Sequence, residues 1–165
     1  MKMKNFLLLS AVLAVFVSCS AQKPFVLSAA GIEMMFPSEE WKIETTNDNN
    51  LEAVLSGTDV TIYISPLDVL DRELAIRQNL FSVTNSLQSA GVTIQPTMTY
   101  NGIDFFQFEF NGQTKGSPSV FLSGRAVVFL GINSFYSLIL IAPVDQYRQF
   151  GGQIDKLMST IRLVK

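Results

Sequence analysis

Apolar and polar positions alternate along most of the chain, and the alternation divides it into strands. Gly31–Pro37 reads as a strand ended by Pro37. Trp41–Thr46 is a second extended piece, with Trp41 and Ile43 set against Lys42 and Glu44. Leu51–Ser56 and Asp59–Ser65 flank Gly57-Thr58 as a hairpin, with Val60, Ile62 and Ile64 on one face. Between Pro66 and Ala90 the period becomes helical. Leu70, Leu74, Phe81, Thr84 and Leu87 form the expected apolar stripe, Asp71 and Glu73 lie early where the helix dipole favours acids, and Gly91 is the expected stop.

Strand patterning then resumes. Val92–Tyr100 meets Ile103–Phe110 across Asn101-Gly102, a pair suited to the two positive φ angles of a type I′ turn. Phe106, Phe108 and Phe110 share one face of the second strand. Val120–Gly131 and Phe135–Ala142 are apolar on both faces near Val127–Leu130 and Leu138–Ile141, which places them mid-sheet and covered twice. Pro143 opens a final helix whose stripe is Tyr147, Phe150, Ile154, Leu157, Met158 and Ile161, weakened by Gly151-Gly152. The expected architecture is α+β: an antiparallel meander of about six to seven strands carrying a mid-chain helix and a C-terminal helix.

The first residues follow another pattern. Lys2 and Lys4 precede Phe6–Val17, which is apolar apart from Ser10, and small residues follow. This is the layout of a secretory signal, too short to span a bilayer well. A retained N-terminal anchor is the plainer alternative. Two processing sites compete. Phe16-Val17-Ser18-Cys19 resembles a bacterial lipobox, with Phe16 where Leu is usual; there the thiol receives a diacylglycerol and the chain is cut before Cys19. The rival is Cys19-Ser20-Ala21, small at −3 and −1, with a cut before Gln22. The organisation read from this is a signal peptide over 1–18, a tether over 19–24 and a single domain over 25–165. The anchor would be lipid at Cys19, and Ser20 after it points to the outer membrane, facing the periplasm.

Composition narrows the chemistry. Removing residues 1–18 from the 165-residue chain leaves 147, enough for one core, and changes 12 basic against 14 acidic residues to 10 against 14, a net charge of −4. No basic run invites nucleic acid. The longest later apolar run, Phe135–Ala142, is too short to cross a membrane. One cysteine forms no internal disulfide. With no histidine, Ser-His-Asp and Cys-His catalysis and histidine-ligated zinc are excluded. No phosphate-cradling glycine loop occurs. Ser20-Ala-Gln-Lys23 matches S-x-x-K but lies in the tether. Glu39-Glu40, and Asp48 with Glu52, read as solvated turn residues. Asp104 and Glu109 fall on opposite faces of one strand. No cofactor, metal or enzymatic activity is expected.

Arg125 is the one charge inside an apolar strand. It must find a partner, reach solvent at a strand end, or contact an anion in a groove. Phe105 and Phe121 are the aromatics that would line such a groove with it. Read plainly, the phenylalanine ladder is core.

The stretch Gly31–Ile43, the single mid-chain helix, the meander and the closing Ala142–Ile161 segment resemble PsbP-like and DcrB-like domains of the Mog-type fold, over about residues 25–163. Phe36, Pro37 and Trp41 of this resemblance pack and do no chemistry. The resemblance implies an accessory, binding or chaperone-like protein; its PsbP branch supports photosystem assembly, and a related cytoplasmic branch shields hydrophobic segments of secreted effectors. A non-catalytic bacterial envelope lipoprotein is therefore the expected function, with a chaperone or carrier of apolar segments or lipids as the alternative.

Overall fold

The computed structural model describes residues 24–47 and 49–164. The expected signal, the Cys19 site and most of the tether lie outside the described residues. Two sheets are present. The main sheet has eight strands, all paired antiparallel: β3 (Trp41–Asn47), β4 (Asn50–Leu55), β5 (Thr61–Leu67), β6 (Leu87–Ile94), β7 (Met98–Tyr100), β8 (Ile103–Thr114), β9 (Phe121–Leu130) and β10 (Phe135–Pro143). Its order is β3-β4-β5-β10-β9-β8-β6, with β7 pairing β8 below β6. The small sheet has the order β1 (Phe25–Leu27), β2 (Ile32–Met34) and β11 (Arg162–Leu163). The expected α+β class stands. The strand before Pro37 leaves the meander to pair with the two ends of the domain.

The doubly apolar strands β9 and β10 are central. One face presents Val127, Phe129, Leu138 and Leu140 to a core completed by Ile154, Leu157 and Met158 and by Leu27 and Ile32 of the small sheet. The other presents Ala126 and Val128, which pack with Phe108, Phe110 and Phe135 beneath α1 (Arg72–Ser86). Strand β9 runs unbroken through Gly124, where an added Cβ would stand 2.3 Å from the Phe110 ring and 2.5 Å from the Leu140 carbonyl oxygen.

Both helical regions differ from expectation. Asp71 caps α1 by accepting the Leu74 N–H at 2.8 Å. The helix ends at Ser86, however, and Leu87 begins β6, so Gly91 is a strand residue and not a stop. The buried face is Ala75, Asn79 and Val83; of the expected stripe, Leu74 and Phe81 face outwards, Leu70 is exposed ahead of the helix and Leu87 is buried just after it. Apolar residues occupy more than one side of this helix, so spacing alone does not choose a face. Small Ala75 permits close approach, and Asn79 accepts a hydrogen bond from Ser137 Oγ on β10 at 2.8 Å. The C-terminal helix is two helices, α2 (Val144–Phe150) and α3 (Gln153–Thr160), parted at Gly151-Gly152. Ile154, Leu157, Met158 and Ile161 are buried as expected.

Asn101 and Gly102 have φ of 52° and 76°, as a type I′ turn requires. Asn101 Nδ2 also donates to the carbonyls of Ser159 and Ile161 at 3.0 and 2.9 Å, tying the β7–β8 turn to the end of α3. Among the described residues no helix is long and apolar enough to cross a membrane.

Gly124→Ala is expected to lower the unfolding free energy by about 1–3 kcal/mol, because the methyl group meets a backbone carbonyl that cannot move without disturbing the β9–β10 ladder. Urea denaturation of the variant beside the parent measures it.

Candidate functional site

Arg125 lies on the face of β9 that α2 and α3 cover, directly across from Glu109 of β8. Its Nη1 donates to Asp155 Oδ1 of α3 at 2.6 Å and its Nη2 to Glu109 Oε1 at 3.2 Å, while the side chain is only 16% exposed. Tyr147 Oη of α2 donates to the same Glu109 oxygen at 3.4 Å. The guanidinium thus fastens α3 to the sheet, and its partner Glu109 fastens α2. Burial opposes its charge, but Asp155, Tyr147 and Glu109 outweigh burial and raise its pKa above the ordinary arginine value. Burial, and then the Glu109 carboxylate, push the Tyr147 phenol above its ordinary 10.0, with Arg125 partly offsetting them. The buried Arg125 Nε is left without a partner.

The groove expected from Arg125, Phe105 and Phe121 is not assembled. The guanidinium is matched by two carboxylates and does not stand open to an anion. Phe105 is sealed in the main core against Phe129, ring centroids 5.4 Å apart. Phe121 pairs with Gln113 four residues beyond Arg125 and is exposed on the rim of a depression shared with Gln88, Asn111 and Val144. All three share a face of the sheet by alternation, but they sit too far apart along it to form one pocket. Among the described residues no three acidic, histidine or cysteine side chains are grouped closely enough to hold a metal ion.

The opposite face holds an apolar pocket that the sequence reading missed. It is a notch of about 250 Å3 between α1 and β6, with Ile76 and Leu80 on one wall, Ile94 and Thr97 on the other, and Phe108 and Val128 as floor. One signal was available. Residues 78–103, which supply Leu80, Ile94 and Thr97 of the walls, contain no charged residue, in a chain where 16% of residues are charged. A surface helix and an edge strand ordinarily carry charge, so the gap marks a surface kept free of charge over the later turns of α1 and the edge strand.

The raised Tyr147 pKa has a consequence at alkaline pH. The folded state holds this proton after the unfolded chain has released it, so the contribution to stability is complete below pH 10.0 and is lost as pH rises through the raised value. Tyr63, raised by burial and by Glu52, acts in the same direction. Unfolding at increasing pH is expected to show a falling alkaline limb that is shallower in Tyr147→Phe, with phenolate absorbance reporting the ionisation.

No family model and no curated protein sequence matches the chain. Solved structures do match it in shape. The Ran-binding protein Mog1p of Saccharomyces cerevisiae superposes with a TM-score of 0.60 at 11% identity, over 87% of this chain and 95% of its own. Cyanobacterial PsbP from Synechocystis gives 0.53 at 10% identity, over 86% and 91%. LpqN of Mycobacterium tuberculosis, described as involved in cell envelope biogenesis, gives 0.52 at 12%, over 90% and 88%. The chain covers 48% of a protein from Bacteroides thetaiotaomicron, about half its length, with a TM-score of 0.56 at 15% identity over 87% of this chain. Identities this low establish shape and not activity. An antiparallel sheet with one helix on one face and the C-terminal helices with a small sheet on the other is the fold this chain shares with Mog1p and PsbP.

Proposed function

We propose that this chain is a non-catalytic accessory protein of the bacterial cell envelope, held at a membrane by lipid on Cys19 and working by binding. The observation that carries the reading is the position of Cys19. It lies within a lipobox-like stretch, behind the apolar run Phe6–Val17, and only six residues before β1 begins at Phe25. A tether over 19–24 reaches at most about 20 Å when extended, so an acylated Cys19 would hold the domain against the bilayer. LpqN, of the same shape, is described as involved in cell envelope biogenesis, which supports the envelope half of the reading, and Mog1p, described as Ran-binding, supports the binding half. Ser20 after Cys19 favours the outer membrane with the domain in the periplasm. Absence of histidine, with the sole cysteine assigned to the anchor, supports a role without catalysis.

The test is the intact mass of the full chain extracted from membranes of a bacterial host. The expected product starts at Cys19 and carries acyl mass, which Cys19→Ala loses. A product starting unmodified at Gln22 would sink the anchor.

A second reading, a carrier or chaperone for apolar segments or lipids, is favoured by the apolar notch beside α1. Under it, a dye that fluoresces on apolar surface is expected to bind the native chain and to be displaced by a long-chain fatty acid. A dark mixture counts against a carrier.

A further inference from the structure

The two edges of the main sheet are unlike. The outer strand β3 contains Lys42 and Glu44, residues that discourage edge-to-edge pairing. The other edge, β6, has no charge, and none occurs from residue 78 to residue 103. Among the described residues its only strand partner is β8, with Val92 opposite Phe110 and Ile94 opposite Phe108. In the same register Gln95 donates its N–H to the Gln107 carbonyl at 3.0 Å. Hydrogen-bonded pairs alternate along an antiparallel ladder, so Gly91, Thr93 and Gln95 bond inwards. The backbone N–H and C=O groups of Val92 and Ile94 therefore point away from the sheet along an open edge.

The side chains of Val92 and Ile94 lie on the α1 side, with those of Phe108 and Phe110. Ile94 is 82% exposed and forms one wall of the apolar notch; Phe81 of α1, 67% exposed, lies on the neighbouring helix surface. Unpaired strand groups and an uncharged apolar recess thus adjoin. We infer that this edge binds an extended segment of another polypeptide, which adds a ninth strand beside β6 and places one apolar side chain in the notch.

Three features select that occupant. The open groups are peptide N–H and C=O, whose natural complement is another peptide backbone. The notch, about 250 Å3, lies below the range of about 300–1,000 Å3 usual for sites that enclose a whole small molecule, and suits a side chain. A second copy of this chain fits poorly. The register shift between Gln88 and Gly91 and the Pro96 after the strand leave only Gly91–Gln95 straight, and the Ile94 that each copy would offer already lines its own notch. A pairing that short buries far less than the roughly 1,200 Å2 of a stable dimer. The inference rests on the binding half of the proposed function and is independent of the anchor.

The probe is an array of synthetic octapeptides that alternate threonine with valine, leucine or phenylalanine, beside peptides of equal composition with the apolar residues in one block. The full chain is expected to bind the alternating set. Affinity for the best peptide, by fluorescence anisotropy, is expected to fall at least tenfold in Val92→Pro, which removes an outward N–H, and in Ile94→Lys, which charges the edge. Phe121→Ser, on β9 and on the face of the sheet opposite the notch, is expected to bind as the parent does. Ile94→Lys alters an exposed side chain, so an unchanged melting temperature separates lost binding from lost folding. Equal binding of block peptides, binding indifferent to both edge variants, or no peptide bound overturns the inference. So does a dimer in sedimentation that Val92→Pro dissociates. Cys19→Ala is expected to leave peptide binding unchanged, so failure of the anchor and failure of this site are read separately.

Discussion

Everything in this fold follows from the need to cover β9 and β10 twice. These strands carry large apolar side chains on both faces, and burying such a side chain is worth about 1.5–3 kcal/mol, so neither face can be left to water. One helix from the middle of the chain covers one face. The other is covered by what remains at the ends: α2 and α3 from the C-terminal side, and a small sheet built from both termini. That division explains why β2 leaves the meander. Ile32 and Met34 bury nothing at a sheet edge, whereas beside α3 they complete the larger core. It also explains why a single arginine is retained inside β9. The helices meet the sheet through apolar contact, which is non-directional, and Arg125, held by Asp155 and Glu109, fixes where α3 sits.

What the sequence made legible was whatever a local pattern determines. Period-two alternation located the strands, a doubly apolar run identified the sheet centre, and Asn101-Gly102 specified its own turn because few residue pairs tolerate two positive φ angles. What it hid depended on a choice between equal local options. The helix over 72–86 has apolar residues on two sides, and the stripe Leu70, Leu74 and Phe81 is as regular as the buried one. The choice was made by Asn79 meeting Ser137, a polar pair that hydropathy counts against burial. Gly151-Gly152 weakened the final helix in expectation and divided it in fact. Of the site, Arg125 was recognisable as a buried charge, but its partners come from α3 and from the neighbouring strand, and no spacing rule connects positions 109, 125 and 155.

Charge distribution proved more informative than charge content. The overall balance of acids and bases describes an ordinary acidic domain. Its local absence over residues 78–103 falls on the later turns of α1 and on β6, which have no common period but are neighbours in space. Two elements that each look like weakly patterned surface become, together, one recess with an open ladder beside it. The opposite edge carries lysine and glutamate, so the two sides of one sheet differ in how they meet other chains.

The small sheet gives the molecule a mechanical order. The first and last strands of the described residues enter it, β1 and β11 on either side of β2, and among the described residues β1 is three residues long and pairs with β2 alone. A force applied through residue 24 therefore meets a short ladder together with Leu27, which is sealed in the main core, and no long ladder. β1 would yield first. Since β11 bonds β2 independently of β1, the main sheet and its open edge would keep their shape under the load, while the core would lose Leu27. The described domain thus begins with a short strand pairing and not with a long ladder.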